Sequence, residues 1–187
     1  MTSDGKKAMN KVTKSLIKTL HILFACLWLG ASASLVLLQC ARGWSEDGQL
    51  LLALNQNFSL LDLALIMPGA VGSAVTGFVI CKTTSWGFTR YRWIIVKAIL
   101  TITAILIGTA LLGPWQMQMV KLSGELENTR MINPSYDLIR SLFTLVGSLQ
   151  VLMLICILAI SACKPWGRRL SRQKEAIMSQ HGSEVVA

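Results

Sequence analysis

Residues 141–163 read SLFTLVGSLQVLMLICILAISAC, 23 positions without a Lys, Arg, Asp or Glu. A helix of about 20 apolar residues crosses the hydrocarbon core of a bilayer. Lipid offers the backbone no hydrogen-bond partner, so such a segment satisfies its own N–H and C=O groups as a helix. Three further charge-free stretches, 19–41, 63–81 and 98–120, have 23, 19 and 23 residues. Together they predict an all-α, polytopic membrane four-helix bundle over residues 15–169, with spans at about 16–40, 60–81, 93–113 and 138–163. A basic tail, 1–14, precedes the bundle and a polar tail, 170–187, follows it. Gly113-Pro114 is expected to end the third span, because proline removes a donor and disfavours helix before its ring. Residues 115–137 are then an outer loop, and 51–62 an interfacial helix leading into the second span.

Charged residues make up 14% of the chain, against roughly 25% in soluble domains. The net charge of +9 is not spread as one basic stripe, which argues against nucleic acid as a partner. It falls in three clusters: Lys6, Lys7, Lys11, Lys14 and Lys18; Lys82, Arg90, Arg92 and Lys97; and Lys164, Arg168, Arg169, Arg172 and Lys174. Lys and Arg are retained on the cytoplasmic side. The clusters therefore predict N-in/C-in topology, with the lipid bilayer as the surrounding partner. The basic start, the apolar run and Ala31-Ser32-Ala33 imitate a cleavable signal, but the run continues through Leu35-Val36-Leu37-Leu38, which favours a retained span. Trp44, Trp86, Trp93, Trp115, Trp166, Tyr91 and Tyr136 fall near the predicted boundaries, where aromatic residues anchor. Trp28 lies mid-span instead. The five cysteines show no disulfide framework and read as small buried hydrophobes.

Small residues recur every four positions as Cys26, Gly30 and Ser34 in the first span, and as Gly69, Ser73 and Gly77 in the second. Ala104 and Gly108 continue the pattern in the third. Such stripes allow close helix approach, and the first two are expected to face each other. Faces of this kind also suit a homo-oligomer or a membrane partner protein.

His21 is the one histidine within a span, and Trp28 follows it on nearly the same face about 10 Å further out. Lys97 enters the third span to a similar depth from the same side, and Gln150 lies near the middle of the fourth. Ionisable groups at membrane depth are costly and face the bundle interior. These four residues sketch a polar pocket on the inner half of the bundle, with Trp28 as its ceiling. The structural alternative is that Lys97 snorkels, His21 bonds a neighbouring backbone and Gln150 glues helices. His21 invites haem or copper, but the second histidine, His181, lies in the polar tail. Met117, Met119 and Met131 in the expected outer loop carry thioethers that suit Cu(I), or they fill an apolar interface. No P-loop, HExxH, CxxC or GxSxG motif is present.

Several short motifs occur in order: Lys18-x-x-His21 with Trp28-x-Gly30, Pro68-Gly69, Thr76-Gly77, Trp86-Gly87-Phe88, Arg92-Trp93 with Lys97, Gly113-Pro114-Trp115, and Lys164-Pro165-Trp166-Gly167-Arg168. In this the chain resembles an uncharacterised family of bacterial four-span integral membrane proteins, distantly similar to the CopD-type copper-resistance proteins. The resemblance covers about residues 15–169 and implies a multi-pass protein of the bacterial inner membrane. The copper or haem link belongs to the distant relatives. Three functions follow as expectations: a small transport, permeation or cofactor-binding component; a non-catalytic membrane scaffold; or a haem- or copper-dependent redox protein.

Overall fold

The computed structural model describes residues 11–41, 47–83, 91–129 and 134–163. The tail 170–187, Trp44, Trp86, Trp166 and Met131 lie outside the described residues. The described elements are helical: α1 (Lys11–Ala41), α2 (Gly48–Leu61), α3 (Met67–Thr83), α4 (Arg92–Ile107), α5 (Gly113–Thr129) and α6 (Pro134–Cys163). α1 thus begins inside the expected polar tail. Asp47 caps α2, its carboxylate accepting from the N–H groups of Gln49 at 3.1 Å and Leu50 at 3.5 Å.

α2 runs into α3 through a π turn at Asp62–Ile66, and α4 into α5 through another at Gly108–Leu112. Two continuous helices result, Gly48–Thr83 and Arg92–Thr129, of 36 and 38 residues. The helix of the third span therefore continues through Gly113-Pro114. A proline cannot donate to the carbonyl four residues back, and its ring crowds that carbonyl. In both π turns the ladder has already slipped by one residue: Met67 N–H donates to the Asp62 carbonyl, and Gly113 N–H to that of Gly108. Pro68 and Pro114 follow immediately. A π turn thus absorbs what would otherwise break each helix. The expected outer loop is helix α5.

Four helical stretches are long and apolar enough to cross a membrane. At 1.5 Å per residue the 36-residue helix is about 54 Å long, against a hydrocarbon core of about 30 Å. α2 and α5 pack on each other as an annex at one end of the bundle. Leu51, Met119, Leu122, Leu126, Tyr136, Ile139 and Phe143 form the core at that end. Between spans in lipid the hydrophobic drive is absent, and close packing holds the helices.

In the spans α3 packs on α1, α1 on α6, and α6 on α4. Among the described residues α3 and α4 share no extended packing surface. The bundle is an arc, roofed by the annex and open along one side. The other end, where α1 starts and α3 and α6 finish, is the basic end.

Candidate functional site

The α1–α3 contact sets the first part of the site. A Cβ on Gly69 would stand 2.8 Å from the Trp28 backbone N, and one on Gly72 would meet the Phe24 ring at 2.5 Å. One on Gly77 would meet His21 Cε1 at 3.2 Å. The glycine face of α3 therefore receives His21, Phe24 and Trp28. Gly30 has nothing within 4 Å of such an atom, and Cys26, Gly30 and Ser34 are exposed on the other side of α1. The two small-residue stripes do not face each other. Bulky side chains of α1 fill the glycine groove, and at Gly69 the α3 backbone lies against the Trp28 backbone.

His21 and Lys97 meet. His21 Nδ1 lies 3.0 Å from the Ser73 carbonyl and 3.0 Å from Thr76 Oγ1. A carbonyl only accepts, so Nδ1 carries the proton, and in the neutral ring Nε2 keeps its lone pair. Lys97 Nζ points at that lone pair from 3.4 Å and donates to Ser161 Oγ at 3.1 Å. Among the described residues no carboxylate lies within ion-pair distance of Lys97. The cluster draws on α1, α3, α4 and α6, at the basic end.

Seven residues toward the annex from each of His21, Lys97 and Ser161 stand Trp28, Ala104 and Leu154. Two helical turns bring these three to one level about 10 Å away. They are buried together with Ile157 in one apolar cluster. Trp28 is thus a ceiling over the His21–Lys97 pair. Gln150 is not part of that pair. It lies on the annex side of the Trp28 level, with Nε2 3.6 Å from a Cβ placed on Gly108.

Gln150 and Gly108 instead line a cavity of about 550 Å³ between the second and third spans. Its wall includes Trp28 and Ser32 of α1, Phe143 and Gly147 of α6, and residues of both π turns. Trp28 Nε1, Ser32 Oγ, Gln116 Oε1 and Gln150 Oε1 are buried polar atoms without a hydrogen-bond partner, and all four residues border this cavity.

A third polar group holds the annex. Asn55 Nδ2 lies 3.0 Å from Tyr136 Oη, 3.3 Å from Ser123 Oγ and 3.4 Å from the Met119 carbonyl. Gln116 Nε2 donates to the Asn55 carbonyl at 2.9 Å, and Arg140 to that of Gln39 at 3.4 Å. Tyr136 and Trp93, expected as boundary anchors, are buried in the protein.

Among the described residues the candidate metal ligands are not assembled. Met117 is 72% exposed and Met119 0%, on opposite faces of α5. The Met119 sulfur is taken by Gln39 Nε2 at 3.9 Å. Both ring nitrogens of His21 are engaged, one of them by an ammonium, which is a poor setting for haem or copper. Among the described residues no three His, Cys, Asp or Glu side chains cluster as metal ligands.

Gln39, Asn55, Gln116 and Ser32 had no part in the expected site. Their signal was polarity without charge: each is a short polar side chain in an apolar helix.

The model of the family described as "Predicted integral membrane protein (DUF2269)" matches residues 15–165. The chain belongs to this family. Comparison with curated proteins and with solved structures returns no match. As a member of the DUF2269 family it is a multi-pass integral membrane protein, in contact with the lipid bilayer.

Proposed function

We propose that this protein is a small transport or permeation component of a bacterial cytoplasmic membrane, N-in and C-in, that passes protons. The observation that carries the reading is the Lys97–His21 contact of 3.4 Å within the basic half of the spans. A charge at membrane depth costs about 3 kcal/mol or more, and such residues line ion and proton pathways. Three neighbours orient this pair: Ser161 on the ammonium, and the Ser73 carbonyl and Thr76 on the imidazole. The Nε2 lone pair can take a proton while Nδ1–H remains held, and Lys97 offers a positive charge with, among the described residues, no carboxylate beside it. The Trp28 level separates this cluster from the cavity above. A path across the protein then needs Trp28 to move aside, which makes it the gate. The three basic clusters support the orientation.

The test is net proton-equivalent flux into liposomes that contain the protein and a trapped pH dye, driven by a potassium diffusion potential. Wild type should exceed protein-free liposomes. Lys97→Met should lower the flux about tenfold, the equivalent of ~1.4 kcal/mol at the bottleneck. Lys97→Arg, which keeps the charge, should lose less. Wild-type flux equal to that of empty liposomes, or unchanged in Lys97→Met, overturns the proposal.

A further inference from the structure

We propose that the cavity between the second and third spans binds an uncharged, hydroxyl-bearing amphiphile that enters sideways from the bilayer. This goes beyond the reading of the His21–Lys97 cluster, because it concerns equilibrium binding at a separate place on the annex side of Trp28.

The entrance follows from the arc of helices. α3 and α4 lack an extended shared surface, so the cavity meets lipid along that side. The rim residues Leu63, Val71 and Met117 are large, apolar and exposed. A rim of this kind admits hydrocarbon and repels water. The volume of about 550 Å³ falls in the range of small-molecule sites. As liquid water it would hold about 18 molecules at roughly 30 Å³ each, yet most of the lining residues are apolar. An apolar space of that size favours a chain.

The head group follows from the orphaned polar atoms. Trp28, Ser32, Gln116 and Gln150 are each more than nine-tenths buried, and each has an unpartnered polar atom. A buried polar atom without a partner costs about 1–3 kcal/mol. Four around one cavity mark a place for a partner. Trp28 Nε1–H requires an acceptor. Gln116 is held by its bond to the Asn55 carbonyl, so its Oε1 requires a donor. Ser32 accepts or donates, and Gln150 does either by turning its amide. A hydroxyl both donates and accepts; an ether or a quinone carbonyl only accepts.

Charge disfavours an anionic head. Asp62 is on the wall, half-buried, and among the described residues no Lys, Arg or His lines the cavity. A free phosphate or carboxylate head would meet a carboxylate and, among these residues, no cation. A glycerol head meets donors and acceptors of both kinds, with its acyl chain along the Leu63–Met117 opening.

The experiment uses the full chain in phosphatidylcholine nanodiscs, titrated with a monoacylglycerol whose acyl chain is dibrominated. Bromine quenches tryptophan at short range, and Trp28→Phe supplies the blank that isolates the Trp28 signal. Saturable quenching of Trp28 is the expected result. Gln150→Leu should weaken it about tenfold, the equivalent of ~1.4 kcal/mol. Gly108→Leu, which places a side chain against Gln150, should abolish it. Native mass spectrometry of each variant checks folding and counts bound monoacylglycerol independently of fluorescence. Absence of saturable quenching and of a bound adduct overturns the proposal. So does equal quenching by dibromostearate or by a dibrominated alkane, which would mean that charge or the head group is not read.

Discussion

Adding one methyl group at Gly69 should disrupt the α1–α3 contact, whereas the same change at Gly30 should not. A Cβ at position 69 lies 2.8 Å from Trp28 N and 3.0 Å from both its Cα and Cβ. Ordinary carbon contacts lie at roughly 3.5–4.0 Å. Two of the three obstructing atoms are backbone, so no rotamer change relieves them. The helices must separate by about 0.7–1 Å, and overpacking of this kind costs about 1–3 kcal/mol. The same movement would stretch the His21 Nδ1 bonds, now 3.0 Å, beyond hydrogen-bond range. Against this stands a helix-propensity gain of about 0.5–1 kcal/mol for alanine over glycine. The net for Gly69→Ala is destabilisation by roughly 1–2 kcal/mol. Gly30→Ala meets nothing within 4 Å and retains only the gain. The assay is reversible unfolding in mixed detergent micelles with increasing SDS, read by circular dichroism. If Gly69→Ala proves as stable as Gly30→Ala, the glycine-groove account of α1 against α3 is wrong.

Asn55→Ala should cost about 2 kcal/mol, since it removes the amide that ties α2 to Tyr136, Ser123 and the Met119 carbonyl. Tyr136→Phe should cost about half as much in the same unfolding assay. Supplying haem to the purified protein should give no stoichiometric Soret band dependent on His21, because both ring nitrogens are occupied; a band removed by His21→Ala would refute that geometry. Reporter fusions after Cys163 should be active only for a cytoplasmic reporter, and periplasmic activity there would reverse the proposed orientation.

The spans were legible because absence of charge over 19–23 residues has one physical explanation in a chain this apolar. The His21–Lys97 meeting was legible for a related reason: two ionisable groups at one depth in a membrane gain by facing inward. The continuation through Pro114 was not legible. The rule that proline ends a helix is local, and a π turn one step earlier removes its premise. The small-residue stripes were visible, but a stripe says where close approach is allowed and not what approaches. Phe24 and Trp28, large residues on α1, proved to be the occupants of the α3 groove. Gln150 stands out in the sequence as polar and mid-span, yet it lies at the cavity level and not beside His21. That cavity exists because α3 and α4 do not pack on each other, and a missing contact leaves no periodic mark in a sequence.

The second and third transmembrane stretches are fastened at both ends: α2 packs on α5 at one, and residues 84–90 join them in the chain at the other. Below its π turn each is about 25 Å long, from the 17 residues of α3 and the 16 of α4. Among the described residues they share no extended contact over that length, while α3 leans on α1, α4 on α6, and α1 on α6. Like two staves held by hoops, such a pair has the most freedom to bow apart at mid-length and the least at its fastenings.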